Sequence, residues 1–345
     1  MSLKKISLEN FTVFDKMDAE FCDGINVFIG ENGTGKTHLL KLLYAFCESG
    51  TLSQNTKLLF FKTLCKCFHS EQLSFLINQI SKPLAFTVDI NEKKYLYQAV
   101  FKDNIADDER LEPPLNNVMI TFQIEGQREK ETLQTAFIPA KEMLTHAGIE
   151  KDYIERTIPF DKTLVDILFK SGMSNLRTLS PTAQTILDNI KQIIEGTVLF
   201  EKDRYFILRA GHKVSFQSEA EGFKKLSVLW RLVETGLISR GSILFWDEPE
   251  ANITPKHIPL LVEMLYTLQS AGVQVFIATH DYVLAKYLEL YSSEKKRIRF
   301  HSLYRGMDSI SLETSDTFKD LEHNTIADAY NKLLDEVFEQ TTRGE

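Results

Sequence analysis

The last third of the chain alternates short apolar runs with stretches of helical periodicity. Residues 243–246 and 273–278 are apolar runs, and residues 255–270 between them repeat apolar positions at helical spacing. A second helical stretch, 281–290, precedes a strand-like run at 297–303. Apolar strands that alternate with helices are typical of a parallel sheet covered on both faces. This pattern predicts an α/β fold with a parallel or mixed central sheet.

The first part of the chain has the two-residue period of half-buried strands. Residues 6–28 alternate apolar and polar side chains, which predicts two or three short strands. The same alternation over 84–101 and 117–124 predicts further strands, while residues 58–80 have apolar residues at helical spacing. We therefore predict an antiparallel β lobe with a flanking helix over residues 50–135.

The middle of the chain changes period three times. After a short strand at 135–138, residues 142–195 become helical, with a break near Ser180 and Pro181, and they are predicted to form a helical insertion. A three-strand meander is predicted over 196–216, a helix over 222–236, and an amphipathic helical tail over 313–345. No repeat or sustained heptad pattern interrupts this series, so we expect residues 1–345 to form a single domain.

One loop in the N-terminal part carries recognisable chemistry. The apolar strand 25–29 runs into Gly-Glu-Asn-Gly-Thr-Gly-Lys-Thr at 30–37, and a helical stretch, 38–47, follows. This is the pattern of a phosphate-binding loop, in which glycines let backbone N–H groups face the phosphates of a nucleotide. Lys36 is expected to reach the β and γ phosphates, and the Thr37 hydroxyl to bind Mg²⁺. The predicted nucleotide-binding residues of the loop are Asn32, Gly33, Thr34, Gly35, Lys36 and Thr37.

Composition sets broad limits on the kind of protein. The 345 residues are 43% hydrophobic and 26% charged, which is ordinary for a globular protein, and the net charge of −8 provides no overall attraction to nucleic acid. The four cysteines lack zinc-site spacing and are interpreted as reduced thiols. No apolar run is long enough for a signal peptide or a membrane span. We expect a cytoplasmic protein without a membrane partner.

Two carboxylates follow the apolar run 243–246. Asp247 and Glu248 stand where a phosphate-loop hydrolase needs acidic groups, at the end of a neighbouring parallel strand. Asp247 is predicted to hold Mg²⁺ through a water molecule, and Glu248 to polarise the attacking water.

A histidine follows the next apolar strand. Thr279, His280 and Asp281 come directly after 275–278, and ligands of such sheets bind beyond the carboxyl ends of the strands. We predict that His280 touches the γ-phosphate and that Asp281 caps the following helix.

Together these motifs resemble the ABC-class ATPases, and within them the RecF, SMC and OLD-like group known as AAA_15 or AAA_21. The resemblance rests on Gly30-Glu31-Asn32-Gly33, on Asp247-Glu248-Pro249-Glu250-Ala251-Asn252 and on Thr279-His280-Asp281. It implies a P-loop ATPase head that uses ATP and Mg²⁺. It also implies that His280 is a switch histidine and that Asn252 lies in a loop communicating between two heads.

The resemblance further implies a signature element at the start of the helix before the Asp247 strand. Residues 217–225, Gln-Ser-Glu-Ala-Glu-Gly-Phe-Lys-Lys, occupy this place. Ala220 and Gly222 would then contact the γ-phosphate held by a second molecule, although Ala220 or Ser218 replaces the usual serine and Glu221 adds a negative charge. The Mg²⁺-sensing glutamine is missing at 137–142, where only Lys141 and Glu142 are candidates. Phe11 and Phe14 could pack on the adenine, but are more simply explained as core residues.

For the biological role, the resemblance implies a homodimer or a higher homo-oligomer that closes around ATP and is reset by slow, partner-regulated hydrolysis. Long coiled-coil arms and a C-terminal nuclease domain are both missing, so we interpret the chain as a stand-alone head. Such heads commonly serve bacterial anti-phage systems beside a separately encoded nuclease or toxin, and the helical insertion would be either its docking surface or a simple lid. The alternatives are a RecF- or Rad50-like head that binds DNA and a scaffold that holds ATP without hydrolysing it.

Overall fold

The structure is a computed structural model that describes residues 2–49, 56–91, 93–102, 111–125, 133–149, 153, 159–293, 297–307 and 309–343. Its centre is a six-stranded sheet with the order β14-β13-β3-β12-β11-β7. The strands are β3 Ile25–Gly30, β7 Thr135–Ile138, β11 Ile243–Asp247, β12 Gln274–Thr279, β13 Ile298–Arg305 and β14 Ile310–Ser315. All neighbours are parallel except β13 and β14. Every residue of β3, β11 and β12 is buried, as the unbroken apolar runs predict.

An antiparallel sheet of five strands forms the β lobe, with the order β2-β1-β4-β5-β6. Its strands are β1 Leu3–Phe11, β2 Phe14–Glu20, β4 Leu84–Ile90, β5 Lys93–Phe101 and β6 Val118–Glu125. Alternate residues of β4 are buried, in agreement with the two-residue period of the sequence. The structure places β1 and β2 in this lobe as well, because β1 pairs with β4. The lobe therefore begins at the amino terminus and not at residue 50.

Two helices connect the lobe to the central sheet. Helix α1, Lys36–Glu48, follows the phosphate loop, and helix α2 is Thr56–Cys67. The predicted helix over 58–80 is wrong in its second half, since α2 ends at Cys67 and a short 3-10 helix covers Leu73–Leu76. The physical reason is tertiary pairing: Ile77 forms a β-bridge with Phe11, and this draws the segment out of a helical path.

The helical insertion lies against α1. It contains a 3-10 turn at Leu144–His146 and the helices α3, Lys162–Ser171, and α4, Pro181–Ile194. The predicted break is confirmed, because the Ser180 side chain caps α4 and Pro181 occupies its first turn. Ion pairs join α3 and its cap to α1, from Lys41 to Asp161 at 2.8 Å and from Lys170 to Glu48 at 2.6 Å.

The predicted meander and the remaining helices follow in order. The meander consists of β8 Thr197–Glu201, β9 Arg204–Arg209 and β10 His212–Ser215, and the helices are α5 Glu221–Glu234, α6 Ile258–Ser270, α7 Tyr282–Leu290 and α8 Thr325–Arg343. Helix α8 docks through Tyr330, which stacks on Tyr282, but its second half is exposed, including Phe338. None of the helices that the structure describes is long and apolar enough to cross a membrane.

Candidate functional site

The phosphate loop joins β3 to α1 and has a backbone that side chains would obstruct. Gly30, Gly33 and Gly35 have φ angles of 141°, 79° and 92°, which favour glycine. A Cβ at Gly35 would lie 2.5 Å from the ring of Phe14, so this glycine is also required for space. Because α1 begins at Lys36 with no acidic residue in its first turn, its free N–H groups and its dipole favour an anion at this point.

Lys36 is folded over the loop that precedes it. Its Nζ donates to the carbonyl oxygens of Gly30 at 2.7 Å and Glu31 at 2.8 Å. The side chain is buried, and burial lowers the pKa of its ammonium group, against the effect of nearby Glu248 and Asp247. A phosphate oxygen is a stronger acceptor than a neutral carbonyl, so the bound nucleotide can compete for this lysine.

Thr37 and Asp247 meet across the sheet. The Thr37 hydroxyl donates to the two carboxylate oxygens of Asp247 at 2.9 and 3.1 Å. Burial raises the pKa of Asp247, while the bond from Thr37 lowers it. A hydroxyl beside a carboxylate is a hard-oxygen set that suits Mg²⁺, which takes its remaining ligands from phosphates and water. The residues present therefore fit this cation.

Glu248 and His280 also lie together. The Nδ1 atom of His280 is 3.1 Å from Oε1 of Glu248, and both side chains are partly exposed, at 50% and 32%. Glu248 has a φ of 48°, in the left-handed region, and its N–H donates to the carbonyl of Ala278 at 2.8 Å. A strained backbone held by neighbouring strands is a common property of catalytic positions. The two residues predicted to be catalytic thus lie close together, within ion-pair distance of each other.

Lys225 is part of this site although the sequence analysis did not select it. Its side chain is buried in α5, and its Nζ donates to the carbonyl oxygen of Glu248. Burial lowers the pKa of Lys225 to about 8, although Glu250, Glu248 and Asp247 act in the opposite direction. A sequence signal did exist, because Lys225 shares the apolar helix face of Leu229 and Leu232.

Glu250 is a second residue of this site that was not predicted from the sequence. Its Oε1 accepts a bond from the Thr279 hydroxyl at 2.6 Å, whereas its Oε2 is buried and has no hydrogen-bond partner in the described part of the chain. Burial raises the pKa of Glu250 to about 7. The Thr279 hydroxyl also accepts from the N–H of Asp281 at 2.9 Å, and Asp281 caps α7, as predicted. Glu250 thereby connects the loop after β11 with the end of β12.

The three residues predicted to face a second molecule lie at one place. Ala220 is the N-cap of α5 but makes no side-chain capping bond, and Asn252 is exposed. A Cβ at Gly222 would lie only 2.3 Å from the carbonyl oxygen of Asn252. We expected glycine here in order to admit a phosphate, but Gly222 is buried and is needed for packing within the chain. The charge of Glu221, a concern from sequence, is paired with Lys224 at 2.7 Å.

The weaker candidates from the sequence do not join the site. Phe11 and Phe14 are completely buried, so their interpretation as core residues holds and neither can pack on adenine. Glu142 accepts from the N–H of Thr145 at 3.1 Å, and Lys141 lies 5.4 Å from the centre of the Phe160 ring. Both contacts are local to the start of the insertion.

Comparison with known proteins gives the family of this chain. Residues 25–286 match the family model AAA_21, described as "AAA domain, putative AbiEii toxin, Type IV TA system". The chain is also similar to DNA replication and repair protein RecF of Streptococcus uberis, with 30% identity over 124 residues, which is 35% of this chain and 32% of that protein. RecF of Cytophaga hutchinsonii is 47% identical over 56 residues, 16% of this chain and 15% of that protein. The chain thus spans a third or less of these relatives.

Solved structures agree on the fold. An Smc head bound to the C-winged helix domain of ScpA matches with a TM-score of 0.57 and 12% identity, covering 93% of this chain and 100% of that one. An Smc head with an extended coiled coil, bound to the C-terminal domain of ScpA derived from Pyrococcus furiosus, matches at 0.54 with 10% identity over 97% and 99%. The predicted family and fold class are both confirmed. The chain belongs to the AAA_21 family, and its fold is that of an ABC-type ATPase head of the RecF and SMC kind.

Proposed function

We propose that this chain binds ATP with Mg²⁺ and hydrolyses it to ADP and phosphate. The observation that supports this most directly is the meeting of two pairs of side chains beside the phosphate loop, Thr37 with Asp247 and Glu248 with His280. One pair suits a cation and the other suits a water molecule, and both follow parallel strands of one sheet. Phosphoryl transfer needs mainly such positioning and charge stabilisation.

Each residue then has a separate task. The N–H groups of the loop and of α1 bind the phosphates, and Lys36 leaves the carbonyls of Gly30 and Glu31 to bind phosphate oxygens. Thr37 and Asp247 hold Mg²⁺, which when bound neutralises charge on the triphosphate. Glu248 accepts a hydrogen bond from the attacking water and orients it.

A second copy of the chain completes the site in this proposal. Ala220 leaves the first turn of α5 without a side-chain cap, and Asn252 is exposed beside it. A helix N-terminus in this state can donate to a γ-phosphate held by another head. ATP would therefore be sandwiched between two heads, and hydrolysis would separate them.

Substitution of the proposed base tests hydrolysis and dimer formation together. Glu248→Gln should retain ATP, release almost no phosphate, and form a dimer with ATP and Mg²⁺ that multi-angle light scattering detects. Glu263→Gln, an exposed carboxylate of α6, is the matched control and should behave as the wild type. A monomeric Glu248→Gln protein saturated with ATP would contradict the sandwich. Equal phosphate release by Glu248→Gln and wild type would contradict the role of Glu248.

We propose that the cycle of ATP binding and hydrolysis controls a separate effector, a nuclease or toxin, in cytoplasmic anti-phage defence. ATP hydrolysis is slow until this partner acts. The family description, which names a toxin of a toxin–antitoxin system, supports this direction. The helical insertion offers a surface for the effector, since Phe169, Met173 and Leu176 are 41%, 49% and 50% exposed. Capture of the native partner by wild type, and its loss with Met173→Asp, would support docking there. Retention of the partner by this variant would exclude that surface.

A RecF-like role on DNA is the second candidate, and the similarity to RecF proteins favours it. Phosphate release measured with and without double-stranded DNA, at two salt concentrations, separates the two roles. Stimulation that weakens with salt supports DNA binding, whereas an unchanged rate supports an effector. If wild type binds ATP but releases no phosphate under either condition or with the partner, the non-hydrolysing scaffold is correct.

A further inference from the structure

A cavity of about 430 Å³ lies beyond the amino ends of the central strands. Arg240 and Val273, which line it, stand shortly before β11 and β12, whereas the residues of the candidate site follow these strands. Because β11 and β12 are parallel, their amino ends meet at one edge of the sheet and their carboxyl ends at the other. The cavity is therefore separate from the phosphate loop, and its volume is in the range of sites for small organic ligands.

The helical insertion forms one wall of this cavity, which we call the insertion cavity. The segment between α3 and α4 is tied to α5 by two hydrogen bonds: Nε of buried Arg231 donates to the carbonyl oxygen of Ser171 at 2.9 Å, and the N–H of Leu176 donates to that of Glu234, also at 2.9 Å. Leu176 then folds over Gly236, where a Cβ would lie only 2.6 Å from its Cδ1. These contacts hold the wall in place, so the insertion cavity is preformed.

The floor of the insertion cavity is apolar. It is formed by buried side chains from α4, α5, α6 and the segments that follow α5 and α6, namely Ile186, Val233, Ile238, Leu268 and Val273. Such side chains offer no hydrogen bonds to water, and apolar groups that displace water from them gain free energy. The floor therefore favours an apolar chain or ring.

The rim of the insertion cavity is polar and has one charge. Thr178, Ser180 and Ser239 are exposed there, and Arg240 alone carries a charge among the described residues that line the cavity. Within the part of the chain that the structure describes, the guanidinium of Arg240 has no ion pair or hydrogen bond. The stem of this arginine crosses the turn before β12, since a Cβ at Gly272 would lie 3.1 Å from its Cγ. The rim thus offers a free cation to an anionic group.

We propose that the insertion cavity binds a small amphipathic anion, such as a medium-chain carboxylic acid. Its apolar chain lies on the floor, and its carboxylate pairs with Arg240 at the rim, where a guanidinium suits the geometry of a carboxylate. An unpaired arginine at the rim of an apolar cavity favours this class of ligand over a neutral one. The proposal does not depend on ATP binding.

Calorimetric titration with two probes of equal chain length separates the apolar contact from the charged one. Octanoate has the chain and the carboxylate, and 1-octanol has the chain with a neutral hydroxyl. Arg240→Ala should weaken octanoate binding about 5- to 10-fold, between the value of an exposed ion pair and that of a charge-assisted hydrogen bond, and leave 1-octanol binding unchanged. Arg204→Ala, an exposed arginine of the meander, is the matched control and should change neither affinity.

Filling the cavity tests its location. Ala183 of α4 lines the cavity, so Ala183→Phe should abolish the binding of both probes. Ala329→Phe, at an exposed alanine of α8, adds the same ring elsewhere and should leave both affinities unchanged. Octanoate should also raise the unfolding temperature of the wild type and not that of Ala183→Phe, because only a ligand bound to the folded state stabilises it.

Three results would overturn the proposal. If the wild type does not bind octanoate, the insertion cavity is not a site for this class of ligand. Equal octanoate affinities of Arg240→Ala and wild type would show that the rim does not select an anion. Octanoate binding that persists unchanged in Ala183→Phe would place the ligand on another apolar surface, such as the exposed face of α8.

Discussion

The contact between Gly222 and Asn252 gives the most demanding test of the site. Gly222 lies in the first turn of α5, and a methyl group there would be 2.3 Å from the carbonyl oxygen of Asn252. Ordinary contact begins near 3.4 Å, so Gly222→Ala must move this loop or the helix by about 1 Å. The obstacle is backbone, so no change of rotamer relieves it.

Gly222→Ala should lower the free energy of unfolding only slightly but lower the rate of hydrolysis strongly, and the experiment tests this difference. Overpacking costs about 1–3 kcal/mol, and alanine recovers about 1 kcal/mol through its better helix propensity. The net loss of unfolding free energy should therefore be at most about 2 kcal/mol. The N–H of Ala251 donates to the carbonyl of Glu248 at 3.1 Å, so movement of the loop reaches Glu248. A misplacement of about 1 Å can cost about 100-fold in rate.

Urea unfolding, calorimetric ATP binding and steady-state phosphate release measure these quantities. We expect Gly222→Ala to bind ATP normally at the phosphate loop but to lose most of its kcat. Gly196→Ala is the matched control, since its Cβ would meet the carbonyl oxygen of Leu208 at 2.6 Å in the meander. It should lose similar stability and retain kcat. A Gly222→Ala protein with wild-type kcat would refute the argument, and so would an equal loss of kcat in Gly196→Ala.

Three other substitutions test individual residues of the site. Lys36→Ala should weaken ATP binding about 10- to 150-fold, the value of a charge-assisted hydrogen bond, while exposed Lys16→Ala should leave the calorimetric affinity unchanged. Lys225→Met should lower kcat about tenfold or more at unchanged ATP affinity, because the Glu248 carbonyl loses its charged donor and keeps only the N–H of Ala251; equal kcat values would contradict this role. Glu250 has a pKa of about 7 when folded and an ordinary value of 4.5, so its contribution to stability is present below pH 4.5 and is lost as the pH rises through 7. In urea unfolding, the free energy of unfolding of Glu250→Gln should therefore rise relative to that of wild type by up to about 3 kcal/mol between pH 5 and pH 8. Parallel pH profiles of the two proteins would show that Glu250 does not titrate in this range.

The periodicity of the sequence predicted most elements because local and tertiary preferences agree in them. The apolar runs of β3, β11 and β12 favour buried strands, and Ser180 with Pro181 forms a strong helix start. The helix predicted after Cys67 was wrong because local and tertiary preferences disagree there: Ile77 is in a helical pattern but pairs with Phe11. The register of a bridge between residues so distant in the chain has no local signal.

The residues of the candidate site also divide into those that local sequence signals select and those that depend on tertiary contacts. Spacing and residue type were sufficient to select Thr37, Asp247, Glu248 and His280, because each follows a strand and carries the chemistry of phosphoryl transfer. Lys225 was not selected because a lysine in a helix is usually solvated, although its place on the apolar face of α5 was a sequence signal. Residues that act through tertiary neighbours therefore stayed outside the sequence prediction.

The two contacts that the sequence did not reveal converge on one loop. Gly222 packs on Asn252, and Lys225, one turn later on the same helix, binds the carbonyl of Glu248. Helix α5 thus fixes both ends of the segment from Glu248 to Asn252, while its own first turn stays uncapped at Ala220. A ligand that binds the uncapped end of α5 and moves this helix should also move Glu248, the proposed base. The reason is that Gly222 packs directly on the backbone of Asn252, and closely packed contacts transmit movement. In the proposed dimer, this makes hydrolysis in one head depend on the nucleotide held by the other.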